Sequence, residues 1–202
     1  MTLRIVLAED HALLRESLQT VFGLADDIDV VAAADNGADA LDAIRSRRPD
    51  GAMVDIDMPR MSGLEVAEAV RDERLDCALL VVTSYGKPGY LQRAMRAGVR
   101  GFVTKNVSPD TLVEAVRKVC AGGRFVDPEI AADALAVGET PLTDRELEVL
   151  RLSGAGLRPA EIGTRLSLAE GTVRNYLSST LTKLQVDNRV AAYRVAEEAG
   201  WL

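Results

Sequence analysis

The sequence predicts two structural classes in one chain. A doubly wound, flavodoxin-like parallel α/β domain of five strands is expected over residues 1–121, and an all-α domain of four helices over 141–202, with a linker at 122–140. Three observations carry this division. Five short aliphatic runs alternate with amphipathic stretches in the first part, as strands buried on both faces do. Strand signals stop at Pro141, after which only helical spacing remains. The acidic excess is also confined to the first part: residues 1–140 hold 16 Lys+Arg against 23 Asp+Glu, whereas residues 141–202 hold 8 of each.

The expected strands are LRIVLA (3–8), VVAAA (30–34), GAMVD (51–55), ALLVVT (78–83) and GFVT (101–104). Between them apolar residues recur at helical spacing. Leu13, Leu14, Leu18, Val21 and Phe22 form one such face. Leu112, Val113, Val116 and Val119 form another, opened by Ser108-Pro109 as cap and first turn. Five βα repeats imply short crossovers and a parallel sheet whose functional groups gather at the carboxyl ends of the strands. Gly122-Gly123 closes the last helix of this part, and the linker carries one short helix after Asp127-Pro128. Helices are then expected at 143–154, 159–166, 169–184 and 189–199, the first opened by Thr143 and Glu146 as a capping box.

With 48% hydrophobic and 27% charged residues, the composition is that of an ordinary globular protein. No apolar run approaches the roughly 20 residues of a membrane span. MTLRIVLAED reads as a strand rather than a signal peptide, so a cytoplasmic protein without membrane insertion is expected. Cys77 and Cys120 have no Cys or His at ligand spacing and read as buried, reduced thiols. The net charge of −7 argues against nucleic acid only superficially, because the second part sums to zero and needs cations on one face alone.

Five polar residues fall at strand ends: Glu9, Asp10, Asp55, Thr83 and Lys105. A parallel sheet brings all of them to one crevice. Three carboxylates beside an ammonium describe a site for Mg²⁺ (or Mn²⁺), with Asp10 and Asp55 as direct ligands, Glu9 acting through water and the backbone carbonyl of Asp57 as a further ligand. A carboxylate that attacks phosphorus needs such cations against charge repulsion. Asp55 is then the nucleophile, Lys105 a clamp on phosphoryl oxygens, and Thr83 a hydroxyl that bonds one of them. The rival readings are polar surface for any single carboxylate and, for Asp55-x-Asp57, a haloacid-dehalogenase-type phosphatase. That motif belongs on a first strand, with Thr or Val after it, and here it lies on the third and precedes Met58-Pro59. His11 reads as the start of the first helix at the rim of the site.

The set ED…DIDMPRMSG…TS…K resembles the receiver domain of bacterial two-component response regulators across essentially all of residues 1–121. The resemblance implies phosphorylation of Asp55 by a sensor histidine kinase, with Thr83 as the switch hydroxyl and Phe102 as the switch aromatic. It implies a protein that assists its own phosphoryl transfer and dephosphorylation but is not a turnover enzyme. It also implies dimerisation on phosphorylation, by either of two receiver faces. A regulator that binds DNA without phosphorylation is the alternative. The KPGYLQRAMRAGVRGF stretch and the final Gly200-Trp201 are similar to regulators of membrane-lipid desaturation within that family.

In the second part, a short helix opening at Pro159, a turn at Ser167–Ala169 and a longer helix form a helix-turn-helix, whose second helix enters the major groove. The string from LTDRELEVLRLSG to AAYRVA resembles the four-helix DNA-binding domain of the NarL/LuxR family. By that match Arg174, Asn175 and Ser178 read bases, while Thr172, Tyr176 and Lys183 hold phosphates. Tyr176 stands where the family often has His, and Arg158-Pro159 where it often has a Ser or Asn cap. Val190, Ala191 and Val195 on the last helix are the expected dimer contacts. Promoter DNA is the expected partner, with RNA polymerase as a further candidate.

Overall fold

The computed structural model describes residues 2–84, 88–136 and 140–202. The chain divides into two compact units, with the boundary between residues 132 and 133. In the first, strands β1 (Leu3–Ala8), β2 (Ile28–Ala34), β3 (Gly51–Asp55), β4 (Ala78–Thr83), β5 (Gly101–Thr104) and β6 (Phe125–Val126) form one sheet. Its order is β2-β1-β3-β4-β5-β6 and every pairing is parallel. Strand order reverses between β1 and β3, which opens a crevice at their carboxyl ends.

The strands are continuous apolar runs because helices lie between them in the chain and cover the sheet: α1 (Ala12–Gly23), α2 (Gly37–Arg47), α3 (Gly63–Asp72), α4 (Pro88–Arg96) and α5 (Pro109–Cys120). Ile5, Leu7, Met53, Leu80, Val82 and Val103 pack with Leu18, Phe22, Leu112 and Val116 in one buried cluster. The Ser108 hydroxyl accepts the Thr111 amide at 3.1 Å to start α5, and Gly122, at φ 86, turns the chain out of it. Part of the Gly- and Pro-containing stretch after Thr83 lies at 85–87, outside the described residues.

The sheet has six strands where the sequence predicts five. The amide of Phe125 donates to Arg100 O and that of Asp127 to Phe102 O, both at 3.0 Å, so residues read as linker extend the sheet beyond β5. Two residues are too few to display the period that marks a strand. The helix expected after Asp127-Pro128 follows as α6 (Pro128–Ala136).

The second unit holds α7 (Asp144–Gly154), α8 (Pro159–Leu166), α9 (Glu170–Leu184) and α10 (Arg189–Glu198). Val149, Ile162 and Val173 meet in a fully buried cluster that joins α7, α8 and α9. Each such side chain contributes about 1.5–3 kcal/mol when withdrawn from water, which fixes α9 on the other two helices. Leu142, Leu147 and Leu150 pack with Ala192 and Ala196 of α10 in a second cluster. Among the described residues, no helix is long and apolar enough to cross a membrane.

Candidate functional site

The strand ends predicted from sequence do converge. Glu9 and Asp10 directly follow β1, Asp55 is the last residue of β3, Thr83 the last of β4, and Lys105 the residue after β5. The Lys105 amide donates to Thr83 O at 2.8 Å, which fixes where the lysine leaves its strand. Its ammonium donates to Glu9 Oε1 at 3.0 Å and Asp55 Oδ2 at 2.9 Å, and lies 2.7 Å from Glu9 Oε2. Glu9 and Asp55 are only 1% and 3% exposed. Burial works against the lysine's charge, but the hydrogen bonds and charges of Glu9 and Asp55 outweigh it and raise its pKa. Lys105 is therefore a fixed cation bridging two buried carboxylates.

Two carboxylate oxygens at the site, Asp10 Oδ1 and Asp55 Oδ1, are buried and accept no hydrogen bond. Such groups are costly unless something else satisfies them. A hard divalent cation fits oxygens of this kind. Beside them, His11 Nδ1 hydrogen-bonds to Glu9 Oε1 at 3.3 Å and lies 2.8 Å from Asp10 Oδ1, out of hydrogen-bond alignment with it. Ligand atoms of Glu9, Asp10 and His11 all fall within 4.8 Å of one another. The Arg15 guanidinium donates to Glu9 O at 2.7 Å and Asp10 O at 3.3 Å, anchoring the backbone that presents the pair.

The turn after β3 is held just as closely. Gly63 and Met58 both donate their amides to Ile56 O at 3.1 Å. A Cβ on Gly63 would lie 2.1 Å from Asp55 O, so only glycine lets α3 begin against the strand end. Ser62 and Glu65 cap that helix reciprocally. Asp57, two residues past Asp55, is exposed. Thr83 is fully buried beside its β5 partner Thr104, and Phe102, on the same strand three residues before Lys105, is fully buried too. Cys77 and Cys120 are free, and burial raises their thiols to about 12 and about 11. Neither is a nucleophile at neutral pH.

On α9, Arg174, Asn175 and Ser178 are exposed, while Thr172 and Tyr176 are half-buried. The Arg174 guanidinium pairs with Glu170 one turn earlier. Lys183, expected to hold a phosphate, is exposed like Arg174. Its ammonium donates to Glu146 Oε2 at 2.7 Å, and Ser179 Oγ donates to Glu146 Oε1, also at 2.7 Å. Glu146 also accepts the Thr143 amide at 2.7 Å, so one buried carboxylate caps α7 and ties α9 to it. Burial alone would raise the Glu146 pKa, but Lys183, Ser179 and Thr143 bring it down to about 2. The capping box was readable from Thr143 and Glu146; the tie to α9 was not, because its partners lie 33 and 37 residues away. Where Arg158 replaces a capping side chain, Glu161 accepts its backbone amide at 2.7 Å instead. On α10, Ala192 and Ala196 form core, Val190 is 72% exposed, and Ala191 and Val195 are half-buried.

Comparison with known proteins agrees with both halves. Residues 5–117 match the response regulator receiver domain, and residues 140–196 match the bacterial regulatory proteins of the luxR family. The chain is 42% identical over 197 residues to the transcriptional regulatory protein DesR of Bacillus subtilis, covering 98% of each. It is 39% identical over 200 residues to the uncharacterized transcriptional regulatory protein YvfU of the same organism, covering 99% of this chain and 100% of that one. Among solved structures, the receiver domain of the response regulator NarL from Mycobacterium tuberculosis superimposes with a TM-score of 0.59 at 35% identity, over 60% of this chain and 98% of that one. The chain belongs to the response regulators that join a receiver domain to a LuxR-family DNA-binding domain.

Proposed function

We propose that Asp55 accepts a phosphoryl group from a sensor histidine kinase and that this modification controls promoter binding by α9. The observation that carries the reading is the Lys105 bridge: one ammonium holds Glu9 and Asp55, while Asp55 Oδ1 is left without a partner. Asp55 Oδ1 is the attacking atom. It forms the new bond to phosphorus as the bond from phosphorus to the donor breaks, and the donor leaves with that electron pair. The Lys105 ammonium steadies the phosphoryl oxygens, and the Thr83 hydroxyl bonds one of them. Asp10 and Asp55, with Glu9 through water and the Asp57 carbonyl, hold Mg²⁺ (or Mn²⁺), which offsets the charge of the transferring group. The receiver assists this transfer and its reversal by water without being a turnover enzyme.

Output runs through Thr83 and Phe102 to a dimer. On the second unit Arg174, Asn175 and Ser178 face base edges, and Thr172 and Tyr176 face phosphates. Lys183 faces a phosphate as well, from the position where Glu146 holds its ammonium. Val190, Ala191 and Val195 pair two DNA-binding domains, and RNA polymerase is a further partner. The protein acts in the cytoplasm, with the receiver at 1–121 and the linker running to residue 140.

Labelling with acetyl phosphate and Mg²⁺, read as a gel shift of the phosphoprotein alongside DNA affinity, tests this. Wild type gains one phosphoryl group and binds promoter DNA more tightly, whereas Asp55→Ala shows neither. Phosphate-dependent DNA binding retained in Asp55→Ala would sink the mechanism.

A further inference from the structure

Arg174 is exposed on α9, yet its guanidinium is held. Nε and Nη2 both donate to one oxygen of Glu170, Oε1, the first of them at 3.1 Å. Those two nitrogens form one edge of the planar fork, so the end edge, made by Nη1 and the second N–H of Nη2, is left open. Among the described residues no other group accepts from it. The other local pairs of the second unit, Arg145–Glu148, Arg158–Glu161 and Arg194–Glu198, each engage a single guanidinium nitrogen. Gly171 lies beside the Glu170–Arg174 pair, in the first turn of α9. A Cβ there would meet nothing within 4 Å, and glycine is unfavourable within a helix, so the packing of this unit gives no reason for it. A partner surface that comes close to this turn does. Helix side chains lean toward the N-terminus, which carries the Arg174 guanidinium over that same turn, the end of a recognition helix that meets base edges.

We propose that Glu170 is a positioning residue that braces Arg174, so that the open end edge of the guanidinium pairs with O6 and N7 of one guanine and α9 discriminates at that base pair. The inference rests on the reading of Arg174 as a base contact. Bidentate pairing with guanine needs two N–H groups held in one plane, and the ion pair fixes that plane before DNA arrives. An unbraced arginine also swings to a phosphate on any sequence, whereas a braced one must first give up its carboxylate. Glu170 therefore lowers the ordering cost at the cognate site. It also withholds the same cation from random DNA, whose phosphates repel its own charge. Glu170 acts through Arg174 and reads no base itself.

Full-length protein treated with acetyl phosphate and Mg²⁺ is used to select a duplex from a random pool. Anisotropy then gives affinities for that duplex, for each of its single-base-pair variants and for random DNA. Wild type, Glu170→Ala, Glu170→Gln, Arg174→Ala and the double variant Glu170→Ala/Arg174→Ala are compared. Arg174→Ala flattens discrimination at one G·C pair. Glu170→Ala lowers discrimination at that same pair by about two- to tenfold, the scale of ordering one long side chain, and leaves other positions within about twofold. Its binding to random DNA does not weaken. Glu170→Gln, which keeps an oxygen acceptor, recovers part of the loss, and the double variant loses no more than Arg174→Ala alone. Fraying of α9 would instead weaken every duplex alike. No change at the pair read by Arg174, a uniform change across positions, or a loss at a different pair overturns the role of Glu170 and leaves Arg174 as a base contact. Discrimination unchanged in Arg174→Ala overturns both.

Discussion

Replacing Lys105 by Met removes the cation while keeping most of the side-chain volume, and the cost follows from what is left behind. Glu9 and Asp55 are 1% and 3% exposed, and the lysine ammonium donates to both. Removing one partner of a buried ion pair costs about 3–5 kcal/mol, because the remaining charge has lost its compensation. Here one ammonium serves two carboxylates, but the lysine side chain is partly open to solvent, which reduces the penalty. About 3 kcal/mol is expected in the absence of divalent ions.

The receiver unit can be followed separately from the rest of the chain. The single tryptophan, Trp201, packs in the α7–α10 cluster and reports the second unit by fluorescence. Far-UV circular dichroism reports both units. In EDTA, Lys105→Met shifts the receiver transition down by about 1–2 M urea, taking about 2 kcal/mol/M for the denaturant slope, and leaves the Trp201 transition in place. Millimolar Mg²⁺ restores part of the loss in the variant, because a cation beside Asp10 and Asp55 replaces some of the missing charge. A receiver midpoint in EDTA equal to that of wild type would show that the carboxylates do not depend on the ammonium.

Two further outcomes concern the second unit. Arg174→Ala weakens binding to the cognate site by about 1–3 kcal/mol and relaxes one base position, measured by anisotropy on specific and random duplexes; unchanged affinity for both removes Arg174 from the interface. For Glu146 the sign follows from its lowered pKa, about 2 against an ordinary 4.5. A carboxylate with a depressed folded-state pKa stabilises above the ordinary value and loses that stabilisation as pH falls from about 4.5 to about 2. Trp201 fluorescence in urea should show wild type exceeding Glu146→Gln at pH 6, by an amount that shrinks by up to about 3 kcal/mol toward pH 2. A difference that stays constant with pH would mean that the ionised Glu146–Lys183 pair is not its source.

Much of this was legible in the residues because the signals are local or topological. Strands β1, β3, β4 and β5 are continuous apolar runs, since helices cover both faces of a parallel sheet. Their ends locate Glu9, Asp10, Asp55, Thr83 and Lys105 without any contact being known, because parallel topology sends every carboxyl end to one side. What escaped has the opposite character. Strand β6 is a two-residue pairing with no period to detect. Lys183 sits on the polar side of α9 by spacing, yet its ammonium reaches Glu146, 37 residues earlier in the chain. Spacing assigns a residue to a helix face, but only the packed fold selects which long, flexible side chain turns inward to a buried charge.

The location of Lys105 bears on the proposed phosphorylation of Asp55. Glu9, Asp10 and Asp55 carry three formal negative charges against one from Lys105, so a divalent cation balances the set. Converting the Asp55 carboxylate to an acyl phosphate adds about one further negative charge and several acceptor oxygens, and the fixed groups available to answer it are the Lys105 ammonium and the Thr83 hydroxyl. Lys105 is not an independent sensor, because its amide is bonded to Thr83 O and it follows directly on β5. Any displacement of its backbone is felt along the strand that carries Phe102. That strand has a second neighbour: the Asp127 amide bonds to Phe102 O, and Thr104 Oγ1 lies 3.5 Å from Asp127 Oδ2, on the residue just before α6. One four-residue strand thus joins Lys105 to the segment leading toward the second unit. The pairing of β6 with β5 makes that segment part of the sheet, so the chain entering α6 is tied to the strand that carries Phe102 by backbone hydrogen bonds.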